Sequence, residues 1–498
     1  MAVRIHFVIC WMLGAVLSAG TVQIIHTSDL HACLTGAEGR PSPWLQLATV
    51  IGQLRRQAGD QSTIHIDTGD TMQGTLIGTL TRGLAPLRAL QAMKCDAWIP
   101  GNHDFDFGPQ AFAEGAAMLS SNIICGNLQP ADGVLPSWPS WKLFERGGCR
   151  VAVIGSTASY LRHWFLPELS NAYLVGTARA QLRRVLPEVL KANPEVIVLA
   201  LHQGWVVNDR RGVNEVAQIA EEFPEIDLIL GGHTHRAIPG RQIGPHAWYM
   251  QPPPHGQALA VAEVVCDDAS RRVRSITSRL IYPDAQTAED DMVRRALAGD
   301  LAVAEKYEKS VVAPAPGRTI SATGRPGQSN AMSQLFCAAI RHATGAEVVM
   351  HGVLSSASLP AGRPVTGKML FDVVPYDNTM VTCQVTAAQL EAIIAEQWKM
   401  RKSYTYCGLY NACATIAADG GAHLQSVNGA PPDSARRYLL ALNSFTAAGG
   451  GRYPVLEEIL SRPECSFKNT GRLTRDALQE YLKLHPGLVV TPEKYLVH

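Results

Sequence analysis

Five short apolar runs in the first half of this 498-residue chain each stop at a turn rich in oxygen and nitrogen donors. They end in SDLH (Asp29, His31), DTGD (Asp67, Asp70), GNHDFDFG (Asn102, His103, Asp104, Asp106), ALHQG (His202) and GGHTHR (His233, His235). One Asp or His after a strand is an ordinary turn or cap residue. Five such endings constrain the chain much more, because rigid strands aim their loops and aligned strands bring the loops together. The runs at 22–27, 62–67, 97–100, 122–126, 150–155, 195–201 and 227–230 read as strands, with helices between them, for example at 44–58 and 213–222. That alternation predicts an α/β domain whose sheets are covered by helices.

The donors suit metal ions. Asp29 and His31 stand two apart, so on an extended segment they project to the same side. The carboxylates of Asp29 and Asp70, the amide oxygen of Asn102 and the imidazoles of His31, His202, His233 and His235 can saturate two divalent ions that share Asp70. A mixed His/Asp/Asn set without thiolate suits Mn, Zn, Fe or Co better than a structural zinc. Two ions roughly 3.5–4 Å apart are the usual machinery for phosphoester hydrolysis. The glycines of TGD, PGNHD and LGGHTH let the backbone turn sharply and present the next side chain.

Length and composition set the frame. A chain this long suggests two or three domains, and 46% hydrophobic against 17% charged residues describes a globular protein. A net charge of +1 without a dense Lys/Arg run gives no reason to expect nucleic acid or an anionic membrane as partner. Residues 1–20 read as a secretion signal: Arg4, an apolar stretch from Ile5 to Leu17, then Ser18-Ala19-Gly20. The apolar stretch is shorter than the roughly 20 residues that span a bilayer, and no other segment reads as transmembrane, so the expected location is periplasmic or secreted. Ten cysteines follow the signal, with no C-x-x-C pair; Cys407 and Cys413, close along the chain, are the first candidates for a disulfide.

The catalytic domain is expected over 21–284, closed by a hairpin at 259–282. A charged linker helix and the start of the Pro-rich hinge VVAPAPGRTI (311–320) fill 285–314, and a second, mixed domain occupies 315–498.

In order and spacing, the five stretches resemble the calcineurin-like metallophosphoesterases, and the mature chain as a whole resembles the secreted 5'-nucleotidase family. The resemblance implies a layered α/β/β/α sandwich followed by a smaller mixed α/β substrate-binding domain. It assigns Asp29, His31, Asp70 and His235 to one metal and Asp70, Asn102, His202 and His233 to the other. His103 would be the catalytic histidine, stabilising the transition state or protonating the leaving oxygen, with Asp106 orienting its ring. The substrate implied is a small phosphoester, a nucleotide in most members.

Two later stretches, VTGKMLFDVVPYDNTMVTCQVTAAQLEAII (365–394) and YLLALNSFTAAGGGRYPVL (438–456), resemble the family's C-terminal domain. Its members clamp a nucleobase between two aromatic rings, which here match Tyr376 and Phe445. The phosphate-binding stretch departs: HGVLSSASLPAG (351–362) puts His351 at an Asn position and Ser356 at an Arg position. Gly451 replaces an acidic residue, and Arg325 matches another family arginine within one residue, with Arg363 and Arg452 nearby. An arginine fork gives a charge and a bidentate geometry that serine lacks. The resemblance therefore leaves three readings open: a 5'-nucleotidase, the same metal site acting on cyclic nucleotides, nucleotide sugars or thiosulfate-type substrates, and a scaffold with a vestigial site.

Overall fold

The structure is a computed structural model that describes residues 20–497 apart from 37–39, 132–135, 162–170, 210–211, 268, 325–327, 404–405, 452 and 493–495. The predicted signal up to residue 19, Arg325 and Arg452 lie outside the described residues.

The first half holds two sheets face to face. One runs in the order Arg272–Ile281, Leu259–Asp267, Thr21–Thr27, Thr63–Asp67, Ala97–Trp98. The other runs Ile238–Gln242, Trp248–Gln251, Leu228–Leu230, Val196–Leu201, Cys149–Ser156, Trp141–Arg146. Side-chain alternation along the strands explains the stacking. Val22 and Ile24 of the first sheet meet Val151, Val153, Val198 and Leu228 of the second in one buried core. Ile25 faces the other way, into a core with the helix Pro43–Ala58, while Ala152 and Ile154 pack against the helix Ala178–Lys191. Strands buried on both faces must be apolar almost throughout, as VIVLAL (196–201) is. The result is the expected α/β/β/α sandwich.

Local signals place the elements well. Ser42 caps Pro43–Ala58 by accepting the Leu45 N–H, with Pro43 at the first turn. The hairpin is present as Leu259–Asp267 and Arg272–Ile281. The 122–126 run is not a strand; Ile123 makes a single bridge to Trp98. The charged linker helix is broken into Asp291–Ala296 and Ala298–Lys309, because Leu297 leaves helical geometry and buries its side chain in the first core beside Val293 and Ala304.

The second half centres on a sheet ordered Leu409–Tyr410, Val348–Met350, Arg437–Asn443, Thr379–Thr386, Lys468–Leu473. Val381 and Leu440 face the helix Ala387–Lys399, whereas Val349 and Ala441 face Ala331–Thr344. The Cys407–Cys413 disulfide is not formed. Cys407 turns inward to Thr446 Oγ1 at 3.6 Å, while Cys413 sits on the strand Ala412–Ile416 opposite Ser426. Both cysteines border the same core, and the Cys407 thiol is directed to Thr446.

Candidate metal centre

All five donor-bearing turns meet at one edge of the paired sheets. Ligand atoms of Asp29, His31, Asp70 and His235 lie within 4.8 Å of one another, as do those of Asp70, His202 and His233. Asn102 joins the second group, its Oδ1 3.0 Å from His233 Nδ1. Asp70 belongs to both. Its Oδ2 is 3.1 Å from His202 Nε2 and 3.8 Å from His31 Nε2, and its Oδ1 accepts the His103 N–H at 2.7 Å.

The backbone is unusual here. Asp29 (φ 53°), His31 (47°), Asp70 (54°), His233 (67°) and His235 (54°) all adopt the left-handed region. Residues with a Cβ hold that conformation at a cost of roughly 1–3 kcal/mol each, and such strain gathers at functional sites. Gly101 has a separate cause: a Cβ there would lie 2.3 Å from Asp70 Oδ1 and 2.8 Å from His202 Cε1. The turn before Asn102 therefore cannot carry a side chain.

Whether these residues fit cations is answered by the donors themselves. His202 Nε2 is buried 3.1 Å from Asp70 Oδ2, and although burial would lower the imidazole, the charge of Asp70 raises it to about 9. His31 Nε2 and His235 Nε2 point at each other from 3.1 Å. Converging lone pairs of this kind call for a proton or a cation between them. Burial lowers His31 and His233 to about 4, which leaves neutral imidazoles, the form that binds a cation. Burial alone would raise Asp70, but the imidazoles of His202, His103 and His31 outweigh it and hold its carboxyl well below the usual range. The second nitrogens are engaged, as oriented ligands require: His31 Nδ1 bonds Gln73 O at 3.0 Å and His202 Nδ1 bonds Thr68 O at 2.6 Å. The donor set fits two divalent ions.

His103 stands beside the cluster, its ring centroid 5.5 Å from that of His31, and is part-exposed. Its Nδ1 contacts Asp106 Oδ2 at 2.8 Å. Burial would lower its pKa, but the charges of Asp106 and Asp70 push it up to about 10. His103 is thus held as a cation with Nε2 free to donate.

Sequence reasoning had given Asp67 and Asp104 no role. Asp67 turns away from the cluster, accepting from Thr27 Oγ1, Thr71 Oγ1 and the Gly69 N–H, and burial raises it to about 7. Asp104 accepts the backbone N–H groups of Gly101 (2.7 Å), Asp70 (3.0 Å), Thr71 (2.8 Å) and Met72 (2.8 Å). One carboxylate therefore ties the Asp70 turn to the Asn102–His103 turn. Asp104→Ala leaves four buried donors unpaired and is expected to cost on the order of 3–5 kcal/mol. Denaturant unfolding with a metal analysis checks this; an unchanged midpoint would mean that the carboxylate does not hold the turns. His255, on the PPPHG turn, was also missed. Its ring lies 5.2 Å from His31 and 5.7 Å from His235, and no spacing rule links it to them.

The second half reaches this edge through residues 375–377. Gln73 Nε2 donates to Pro375 O at 3.1 Å; burial raises Asp106, and Asp377, paired with Arg475 at 2.6 Å, adds slightly to that rise. Tyr376 lies between, 40% exposed, and Phe445 is 42% exposed, on a segment joined to the first by Thr379 N–H to Ser444 Oγ at 3.1 Å. Large aromatic rings this open do not belong to a core. His351 is fully buried instead, its ring tilted 60° to that of Phe336, with Nδ1 on Gly352 O and Nε2 toward Asn443 Nδ2. Asn443 in turn caps the short helix of Phe445 by accepting the Thr446 N–H. His351 thus supports the Phe445 segment from behind. Ser356 and Arg363 are exposed.

Residues 22–237 match the family model for calcineurin-like phosphoesterase, and 308–458 match that for the 5'-nucleotidase C-terminal domain. The protein UshA of Yersinia enterocolitica is 23% identical over 94% of this chain and 92% of its own. Among solved structures, the 5'-nucleotidase precursor of Thermus thermophilus superposes with a TM-score of 0.69 at 20% identity, covering 96% of this chain and 99% of that one. The sulfate thiohydrolase SoxB of Thermus thermophilus gives 0.63 at 17% identity, over 95% and 96%. At these identities the structural likeness speaks for the fold.

Proposed function

Since the chain belongs to the calcineurin-like phosphoesterases that carry a 5'-nucleotidase C-terminal domain, we propose that it is an exported hydrolase that uses two divalent ions to cleave nucleotide phosphoesters. The observation that carries this reading is the convergence of the seven donors, with Asp70 common to both groups. Asp29, His31, Asp70 and His235 would hold one ion and Asp70, Asn102, His202 and His233 the other. Mn, Zn, Fe or Co suits the donors. When bound, the ions supply Lewis-acid activation of the phosphoryl group and of water.

The chain's own residues do the rest. Asp70 and Asp29 present a negative field that draws the cations in. His103, held cationic by Asp106, donates its Nε2 proton to the phosphoryl oxygens or to the departing oxygen. Tyr376 and Phe445 supply stacking faces for a base, and Gln73 keeps the Tyr376 turn against the metal turns. The limits of the two domains at 21–284 and 315–498, joined through 285–314, belong to this reading. So does a periplasmic or secreted location, supported by the leader-like first twenty residues; among the described residues no helix is long and apolar enough to cross a membrane.

A panel of AMP, a 2',3'-cyclic nucleotide, UDP-glucose and thiosulfate, run with Mn²⁺, tests the substrate. AMP turnover at least tenfold above the others is the expected outcome. The exposed Ser356 at the family's arginine position favours a second reading, a phosphodiester or smaller anion, and a reversed ranking would establish it. The aromatic pair has its own test. Tyr376→Ala with Phe445→Ala is expected to raise KM for AMP about 10- to 100-fold, since stacking contributes about 1–3 kcal/mol per base. Hydrolysis of p-nitrophenyl phosphate, which has no base, should change less than twofold. An equal loss on both substrates would remove the rings from base recognition.

A further inference from the structure

Two thiols meet where the facing sheets come together at the start of the described chain. Cys149 opens the strand Cys149–Ser156 of the second sheet, and Cys266 lies near the end of Leu259–Asp267 in the first. Both are buried, at 1% and 3% exposure, in the same core between the sheets. Gly20 packs against both of them. Its carbonyl accepts the Cys266 N–H at 2.8 Å, and a Cβ added to it would fall 2.9 Å from Cys149 Sγ. The Thr21 N–H closes the corner by donating to Gly147 O at 2.8 Å. Gly20 thus lies against Cys149 Sγ on one side and the Cys266 backbone on the other, and the Cys149 side chain is near enough to raise the Cys266 thiol. Among the other described cysteines, Cys337 Sγ meets His351 O, Cys407 meets Thr446 and Cys125 meets Asn127.

We propose that Cys149 and Cys266 form a disulfide that staples the two sheets of the sandwich across the corner at Gly20. It rests on the export reading only for where oxidation happens; the geometry stands apart from it. The oxidant is a disulfide, either an oxidised dithiol enzyme or oxidised glutathione. One cysteine thiolate attacks a sulfur of that disulfide, forming a mixed disulfide and releasing one oxidant thiolate. The second cysteine thiolate then attacks the protein sulfur of the mixed disulfide and expels the remaining oxidant thiolate. Two protons and two electrons leave the protein, and the oxidant is reduced to two thiols. The contact with Cys149 and burial both raise the Cys266 thiol far above its ordinary value, so little thiolate exists once the core has closed. The bond therefore forms during folding. It closes a loop of roughly 120 residues that includes the His202 and His233–His235 turns, a length at which cross-linking strongly restricts the unfolded chain.

The test starts from full-length chain, reduced, unfolded and refolded in a glutathione redox buffer, then alkylated and digested without reductant. One linked peptide pair joining Cys149 to Cys266 is expected, with the other nine cysteines of the full-length chain alkylated. Alkylation of both, or their linkage to other partners, overturns the proposal. A second measurement does not depend on peptide recovery. Reductant should lower the melting temperature of the oxidised protein by roughly 5–10 °C, and Cys149→Ser with Cys266→Ser should melt like the reduced form whether or not reductant is added. A melting temperature indifferent to reductant in the wild type also overturns it. Mapping the chain recovered from a leader-directed expression reports the compartment: linkage in vitro with free thiols there would count against export and leave the staple standing.

Discussion

Asp70→Ala is expected to abolish metal-dependent hydrolysis and to lower bound metal from two ions per chain to one or none. Asp70 is the one donor common to both ligand groups. Its two oxygens are committed in different directions, Oδ2 toward His202 and His31 and Oδ1 to the His103 N–H. Removing it weakens both sites together and unpins the His103 turn. A pair of ions supplies several kcal/mol of transition-state stabilisation, and each 1.36 kcal/mol is a factor of ten, so the loss should be about 10³-fold or more. Backbone strain complicates alanine at φ 54°. Asp70→Asn separates the effects, since Asn tolerates that conformation and keeps an oxygen for the His103 N–H but lacks the charge. Both variants should fail alike, Asn with a melting temperature closer to wild type. Two ions retained by Asp70→Asn, measured by inductively coupled plasma analysis, would refute the bridging assignment.

His103→Ala should give the opposite pattern: both ions kept, with kcat lowered by about 10²–10⁴-fold, the usual range for a positioned proton donor. The side chain has no place among the convergent donors, and its Nδ1 is occupied by Asp106 at 2.8 Å. Its raised pKa, about 10, comes from Asp106 and Asp70 overriding burial, so it carries a proton throughout the neutral range. If its role is to protonate the departing oxygen, the loss should be smaller for p-nitrophenyl phosphate, whose leaving group needs little help, than for AMP. An equal loss on both would assign His103 to phosphoryl-oxygen stabilisation alone, and loss of both ions would make it a ligand. Asp106→Asn should reproduce a fraction of the defect by removing the charge that fixes the ring.

The donors were legible because each has a chemical signature and each follows an apolar run. The strands that carry them were legible for the same reason, with VIVLAL (196–201) the plainest case. Asp104 shows where reading stopped. It sits in the same stretch as Asn102 and His103, but its work is to collect backbone N–H groups from Asp70, Thr71 and Met72, more than thirty residues earlier. Backbone donors are the same at every position, so no residue pattern announces them. His255 and Gln73 were hidden likewise: one reaches the cluster by ring contact and the other by a carbonyl and an amide.

By itself, then, the sequence determined the chemistry at the metal edge. Asp, His and Asn side chains have fixed donor atoms, and strand ends followed by turns mark where they gather; the extended alternation expected for Asp29 and His31 is not formed, because both lie past the strand end in left-handed backbone. The tertiary structure alone decided how those donors are held and what lies beside them. It placed Asp70 between two imidazole groups and set five donors in left-handed backbone. It buried His351 behind the Phe445 segment and opened Tyr376 and Phe445 to solvent. It also brought Cys149 and Cys266 together across two sheets. These outcomes depend on packing between segments distant in the chain, where the energy comes from surface removed from water and carries no local pattern.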